Sequence, residues 1–429
     1  MSVGKWVRVA ISSLGSFALS VLGWLLIAPV AVMFPRRRDW LGVIGRDEGK
    51  FVDNAKYFFL QGAPLLAPSA RTVFITQRQD VADLLAGTPY QARVYPSFGA
   101  VWFLLRSGTV VVDSIEWPHR LRRFLVMGAR IVQLWHGVGF KRIELDKWRN
   151  EVSASSTLSS PRVLALRIGM HRFTGRLVRY DVVNTTSAFY RDKVFIPAFL
   201  SRHFLVAGYP RNTFGALGEP GASLACRNVD GPILARWSEW FGQGRRLVLV
   251  APTFRDSRAT PLGLSPDVVS SLDEFCERQG VEFVFKFHPF EREVDQIKGR
   301  HLHLCRPDSD LYPLMPLSSA LVTDYSSIYM DYLLLDKPIL FFVPDIDQYL
   351  RTDRQMQFGF DSMTPGPKVA TWAGLTDELQ RQWSNDQFAG ARSELKRKAF
   401  DDLPQDQAVP KIIEFMRSRR WLPDATSGT

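Results

Sequence analysis

At 429 residues the chain is too long for one ordinary α/β core and fits two domains with extra segments. Its apolar content of 46% and charged content of 23% are those of a globular protein, which sets disorder aside. The net charge of +11 is unevenly spread: residues 1–180 hold 25 Lys+Arg against 11 Asp+Glu, and the remainder holds 29 against 32. A polyanionic partner on one side is expected, either nucleic acid or an anionic membrane. Three cysteines, Cys226, Cys276 and Cys305, form no CxxC pair or metal-ligand spacing. They argue against a disulfide framework and fit a reducing compartment.

Val9 to Pro35 contains no charged residue, with Lys5 and Arg8 before it and Arg36, Arg37 and Arg38 after it. About 20 apolar residues suffice to span a bilayer, and the triple Arg resists translocation. Residues 1–38 are therefore expected to attach the chain to a cell membrane, with its bulk on the cytoplasmic face. The alternatives are a cleaved signal peptide, a re-entrant or interfacial segment bent at Pro29, and a buried core helix. Because much of the basic excess flanks this segment, a membrane is preferred over nucleic acid as the polyanion.

Beyond it, short apolar runs alternate with helix-like stretches. One series comprises Thr72–Thr76, Thr109–Asp113, Arg130–Trp135, Asp181–Asn184 and Phe204–Ala207. A second comprises Arg246–Val250, Val281–Phe287, Leu302–Cys305, Ala320–Thr323 and Pro338–Val343. Ser265–Gln279 and Ile328–Leu335 read as helices between them. Two series of this kind predict two parallel-sheet α/β domains, 39–235 and 236–420, with ligands at the carboxyl ends of strands. Within the first, Ser153–Ser160 reads as a loop. Arg162–Arg179 reads as a basic amphipathic helix that either lies on an anionic membrane or packs on the core.

Candidate chemistry gathers where strands end. His136 closes Arg130–His136, and His288 closes Phe283–His288 with Lys286 on the same strand face. A Lys and a His at a strand end suit a phosphate-bearing ligand. The stretch from Leu321 to Tyr332 reads as strand, tight loop and helix, placing Ser326 and Ser327 at a helix start, an anion site, with Asp331 one turn on. The turn after Phe204–Ala207 supplies Arg211, and the turn after Arg246–Val250 supplies Pro252, Thr253 and Arg255. There is no P-loop, GxGxxG or HExxH motif, and no metal or cofactor is expected.

At these residues the sequence resembles the CDP-glycerol glycerophosphotransferase family, the teichoic-acid primases and polymerases. The matching stretches, in the family's order, are Gln133–Gly137 with Trp135 and Lys141, Gly208–Asn212, Ala251–Arg255, Lys286–Pro289, and Thr323–Ser327 with Asp324. Asp331, Asp336–Pro338 and Pro365–Pro367 complete the series, and Asp53–Lys56 is similar to the family's upstream Asn-x-Lys element. Val138 and Gly139 stand where Thr-Pro is usual, and Thr213 replaces an acidic residue. The resemblance implies a GT-B-like fold of two Rossmann-like domains facing a cleft, with the nucleotide held mainly by the second domain. It implies CDP-glycerol as donor substrate and a lipid-linked or polymeric acceptor. His136 is then the expected general base and His288 the group on the leaving side. Arg211, Lys286, Ser326 and Ser327 supply charge stabilisation, and Thr253 and Asp331 orient the ligand. Rival readings are a GT-B glycosyltransferase using a nucleotide sugar, a nucleic-acid-binding protein and a non-catalytic membrane scaffold.

Overall fold

The computed structural model of the chain describes residues 15–118, 121–153, 161–214, 217–253, 262–287, 299–347, 349 and 356–424. Two of the expected site residues, Arg255 and His288, lie outside them, as does most of the Ser153–Ser160 loop.

Strands β1 (Arg37–Ile44), β2 (Arg71–Thr76), β3 (Gln91–Val94), β4 (Ser107–Val112), β5 (Arg130–Gln133), β6 (Arg179–Thr185) and β7 (Leu200–Val206) form one sheet in the order β3-β2-β1-β4-β5-β6-β7. Strands β8 (Arg246–Val250), β9 (Val281–Phe285), β10 (Leu302–Leu304), β11 (Ala320–Thr323), β12 (Ile339–Phe342) and β13 (Lys368–Val369) form a second, ordered β10-β9-β8-β11-β12-β13. Every described pairing in both sheets is parallel. A parallel sheet is covered on both faces, which is why its strands are apolar without alternation: β9 and β12 are buried at every residue. In each sheet the strand order reverses between two neighbours, β1 and β4 in the first and β8 and β11 in the second. The crevice at such a switch point is where ligands bind in open α/β sheets. The expected GT-B-like arrangement of two Rossmann-like domains is the one observed.

Helix boundaries follow local chemistry. Pro266–Gln279 starts where the Ser265 side chain accepts a hydrogen bond from the Val268 N–H, and stops at Gly280, whose φ of +62° a side chain disfavours. Gly231–Gly242, which crosses the expected domain boundary between 235 and 236, is a helix capped by Asp230. Two further boundaries are corrected. Strand β1 begins at Arg37, inside the segment assigned to the membrane. The last helix, Ala408–Ser418, was assigned to the second domain, but it buries Val409, Ile412, Ile413 and Met416 with Leu41, Phe58 and Val182 of the first. Strands β1, β3 and β13 were not anticipated.

The apolar N-terminal stretch is helical over Gly15–Met33, 19 residues with a mean hydropathy of 2.1, long and apolar enough to cross a membrane. One side leans on the first domain: Trp24 meets Phe124 edge-on at 5.5 Å, and Phe17 meets Phe173 at 5.3 Å. The other side is open, with Leu25 and Leu26 67% and 63% exposed. Arg36 is half-buried. Its guanidinium donates to the carbonyls of Leu104 (2.7 Å), Leu125 (3.0 Å) and Met127, tying the helix to the fold. The expected amphipathic helix is shorter than anticipated, Pro161–Thr174, so Arg176 and Leu177 lie beyond its end and Arg179 opens β6. Leu166 and Met170 on it are exposed, so the apolar side of the helix is not packed into the core.

Candidate active site

Site residues come from loops at the carboxyl ends of strands. After β5 the chain turns sharply at Trp135 (φ +60°) and Gly137 (φ +145°). A tryptophan in the left-handed region is costly and persists only where its surroundings over-determine it. Here the Gln133 Oε1 accepts from the Trp135 N–H (2.8 Å), and the Asn54 Nδ2 donates to the Trp135 carbonyl (2.8 Å). The indole lies 4.0 Å from the His136 ring centroid and 4.8 Å from that of Phe199.

The turn presents His136, half-buried. Its Nδ1 lies 3.2 Å from the Asp113 carbonyl. A carbonyl only accepts, so this network assigns the proton to Nδ1 and leaves the Nε2 lone pair available. Burial, seconded by the Arg46 charge and opposed by Asp53, pushes the His136 pKa down to about 4. The ring is therefore neutral at pH 7. We expect the acidic limb of kcat/KM, which reports the free enzyme, to fall near pH 4 rather than near the ordinary histidine value of about 6.5. The limb of kcat should lie higher, because an anionic donor beside the ring favours the imidazolium. A kcat/KM limb at or above pH 6.5 would contradict this reading.

Asp113, which follows β4 at the switch point, was missed in the sequence. Its carbonyl fixes His136, and its Oδ2 accepts from the Ala55 N–H (3.0 Å) at the start of helix Asp53–Leu66. Burial, and then the neighbouring Asp53 charge, raise its pKa well above the usual carboxylate range. Asp53 itself sits at φ +60°, with its carboxylate on Arg211 and on Arg46 (3.1 Å). Burial opposes ionisation there, but the Arg211 and Arg46 charges prevail and its pKa is lowered.

Arg211 is buried, and it is already engaged. One guanidinium nitrogen donates to Asp53 (2.5 Å) and to the His136 carbonyl (2.9 Å). The other donates to Asp331 (2.6 Å), which also accepts from the Tyr312 hydroxyl (2.7 Å). Arg211 was expected to meet a phosphate and Asp331 to orient a ligand. The structure instead has them pair with each other across the two domains, behind the histidine turn. A second buried link joins the domains: Lys56 donates to Asp310 (2.6 Å), Asn228 Oδ1 (2.6 Å) and the Ala225 carbonyl (2.7 Å).

The second domain supplies the facing wall. Pro252 and Thr253 follow β8, and Asp324, Ser326 and Ser327 follow β11, so all five stand at its switch point. Asp324 Oδ1 accepts from the N–H groups of Thr253 (2.7 Å), Tyr325 (2.6 Å) and Ser326 (3.2 Å), joining the two loops. Ser327 is exposed, and its side chain does not cap the short helix Ile328–Tyr332. A Cβ added at Gly137 would stand 3.6 Å from the Ser327 hydroxyl, and one added at Gly139 would stand 3.3 Å from the Ser327 Cβ. The Trp-His-Gly turn thus meets the serine loop across the cleft, and Gly139 keeps that approach open. Lys141, farther along the same loop, forms a β-bridge with Met356 and lies 5.3 Å from the Tyr349 ring. Lys286 follows β9 and directs its ammonium at the carbonyls of Pro307 (2.5 Å) and Phe287 (3.4 Å), with its pKa lowered by burial.

Residues 40–416 match the model of the CDP-Glycerol:Poly(glycerophosphate) glycerophosphotransferase family, and the chain belongs to that family. It is 27% identical over 271 residues to a teichoic acid poly(glycerol phosphate) polymerase of Bacillus subtilis, covering 59% of this chain and 33% of that protein. It is 35% identical over 181 residues to a teichoic acid ribitol-phosphate primase of Bacillus spizizenii, covering 41% and 44%. A Staphylococcus aureus teichoic acid glycerol-phosphate transferase is 25% identical over 372 residues, covering 81% and 88%. The chain thus spans only part of the longer polymerases. The solved structure of the wall teichoic acid polymerase TagF superposes with a TM-score of 0.68 at 18% identity, over 98% of both chains, which supports the fold.

Proposed function

We propose that this protein transfers a polyol phosphate, glycerol phosphate in the first instance, from a CDP-linked donor to a cell-surface polymer or its lipid-linked precursor. The observation that carries the proposal is a histidine whose Nδ1 meets the Asp113 carbonyl, leaving Nε2 to accept, on a first-domain turn that meets a hydroxyl-bearing loop at the switch point of the second. In this reading Nε2 takes the proton of an acceptor hydroxyl whose oxygen attacks the β-phosphorus of the donor. The bond from that phosphorus to the bridging oxygen breaks, and CMP leaves with the electron pair. Transfer of this kind rests on positioning and charge stabilisation. In this reading Thr253, Ser326, Ser327 and Lys286 supply both, and His288 is assigned to the leaving side. Family membership favours this reading over a nucleotide-sugar glycosyltransferase on the same fold. The test is nucleotide release from CDP-glycerol, CDP-ribitol and UDP-sugars, each with a lipid-linked acceptor. CMP from a CDP-polyol supports the proposal, and release only from a UDP-sugar overturns it.

Membrane attachment at the cytoplasmic face belongs to the same proposal. It rests on the open apolar side of helix Gly15–Met33 and on exposed Leu166 and Met170 beside Arg167 and Arg172. Replacing Leu25 and Leu26 together by Asp is expected to abolish most co-sedimentation with anionic vesicles while leaving Tm unchanged, because both side chains already face solvent. The residual binding should fall with salt, as contacts between Arg and anionic lipid are screened. Undiminished sedimentation of the double variant would refute the attachment.

A further inference from the structure

A cavity of about 940 Å³ among the described residues is not the cleft that holds His136. It lies between the apolar N-terminal helix and the carboxyl ends of β1, β2 and β4. Its two ends differ in chemistry. On the helix side, Leu19 offers an apolar wall, and Arg123 and Arg176 offer cations. Arg123 is fixed there by its hydrogen bonds to the carbonyls of Arg172 (3.2 Å) and Phe173, and it lies over the Phe124 ring that Trp24 touches. Arg176 is exposed. On the strand side stand three carboxylates, Asp47, Glu48 and Glu116, beside two cations already paired, Lys50 with Asp47 (3.2 Å) and Arg78 with Asp80 (2.6 Å); Glu116 accepts from the Asp47 N–H (3.2 Å). That side adjoins the catalytic histidine: Glu116 lies three residues after Asp113, whose carbonyl holds His136, and Asp47 follows Arg46, which pairs with Asp53.

Cations next to a membrane-competent helix bind phosphate groups, and carboxylates next to the base bind hydroxyl groups. We propose that this cavity is the acceptor site. Its ligand is an amphiphile whose phosphate groups sit at Arg123 and Arg176, between an aliphatic tail along the N-terminal helix and a hydroxyl-bearing end directed at His136. The inference rests on the transfer reading above and adds to it a place and a polarity for the acceptor. It also gives the N-terminal helix a second role, as one wall of a substrate site.

The test uses the full-length protein in neutral detergent micelles, so that general attraction to anionic lipid is absent. Farnesyl diphosphate serves as the aliphatic diphosphate probe, inorganic pyrophosphate as the tail-free control, and binding is read by calorimetry. Arg176→Glu is expected to weaken farnesyl diphosphate binding about tenfold or more, and Arg176→Lys by less than about threefold, with pyrophosphate much weaker than the lipid in the parent protein. CDP-glycerol affinity should be the same in all three proteins. Equal farnesyl diphosphate binding by the parent and Arg176→Glu overturns the proposal. So does pyrophosphate binding as tightly as the lipid, which would mark a simple phosphate site. Failure of the transfer reading is separate: the parent would bind farnesyl diphosphate as described and yet release no CMP from CDP-glycerol with any acceptor.

Discussion

His136→Gln is expected to lower kcat by about 10²–10⁴-fold while leaving CDP-donor affinity nearly unchanged, the loss typical of removing a general base. Glutamine keeps the side chain's polarity but has no basic lone pair to take the acceptor proton. The protein should remain folded, because Gln133, Asn54, Arg211 and Phe199 still hold the turn without the imidazole. The variant should also lose the acidic limb assigned to the imidazole. A residual rate that keeps the parent's pH profile would place the base elsewhere. His288→Ala is expected to have a smaller effect, since the CMP phosphate is a good leaving group and needs less help than the acceptor hydroxyl.

Arg211→Lys should lower kcat by about 10²-fold and lower Tm, again with little change in donor affinity. One ammonium cannot span two carboxylates and a carbonyl as the forked guanidinium does. Losing the link to the His136 carbonyl frees the turn, and a displacement of about 1 Å at a reacting group costs on this order. Arg211→Ala is expected to be worse, destabilising by about 3–5 kcal/mol, because Asp331 would remain buried without a counter-charge and Asp53 would keep only Arg46. Kinetics and thermal melts on both variants separate this role from phosphate binding. A raised donor KM with unchanged kcat and Tm would return Arg211 to the donor.

Much of the fold was legible because buried parallel strands read as unbroken apolar runs. The runs Arg246–Val250 and Ala320–Thr323 coincide with observed strands residue for residue. Strand β1 was hidden because its start, Arg37–Arg38–Asp39, is charged, with both arginines exposed, and follows an apolar helix that invited a membrane reading of the whole basic cluster. Strands β3 and β13 are short edge strands without an apolar core. The site was legible as a set of strand ends: His136, Thr253, Lys286, Asp324 and Ser326 all follow strands, as expected. Which strands are neighbours was not legible, because crossovers bring together segments distant in sequence. Asp113 ended an anticipated strand, yet only the pairing of β4 with β1 and β5 shows it to stand at the switch point behind His136. For the same reason Arg211 read as a free cation, while Asp53 and Asp331 that claim it lie 158 and 120 residues away.

The claim on which the rest depends is that the donor is cut between its two phosphates. CDP-glycerol carrying a labelled β-phosphorus, incubated with the full-length protein and a lipid-linked acceptor, tests it directly. Unlabelled CMP is expected, with the label in the acceptor product. Labelled CDP among the products, with glycerol transferred alone, would contradict it.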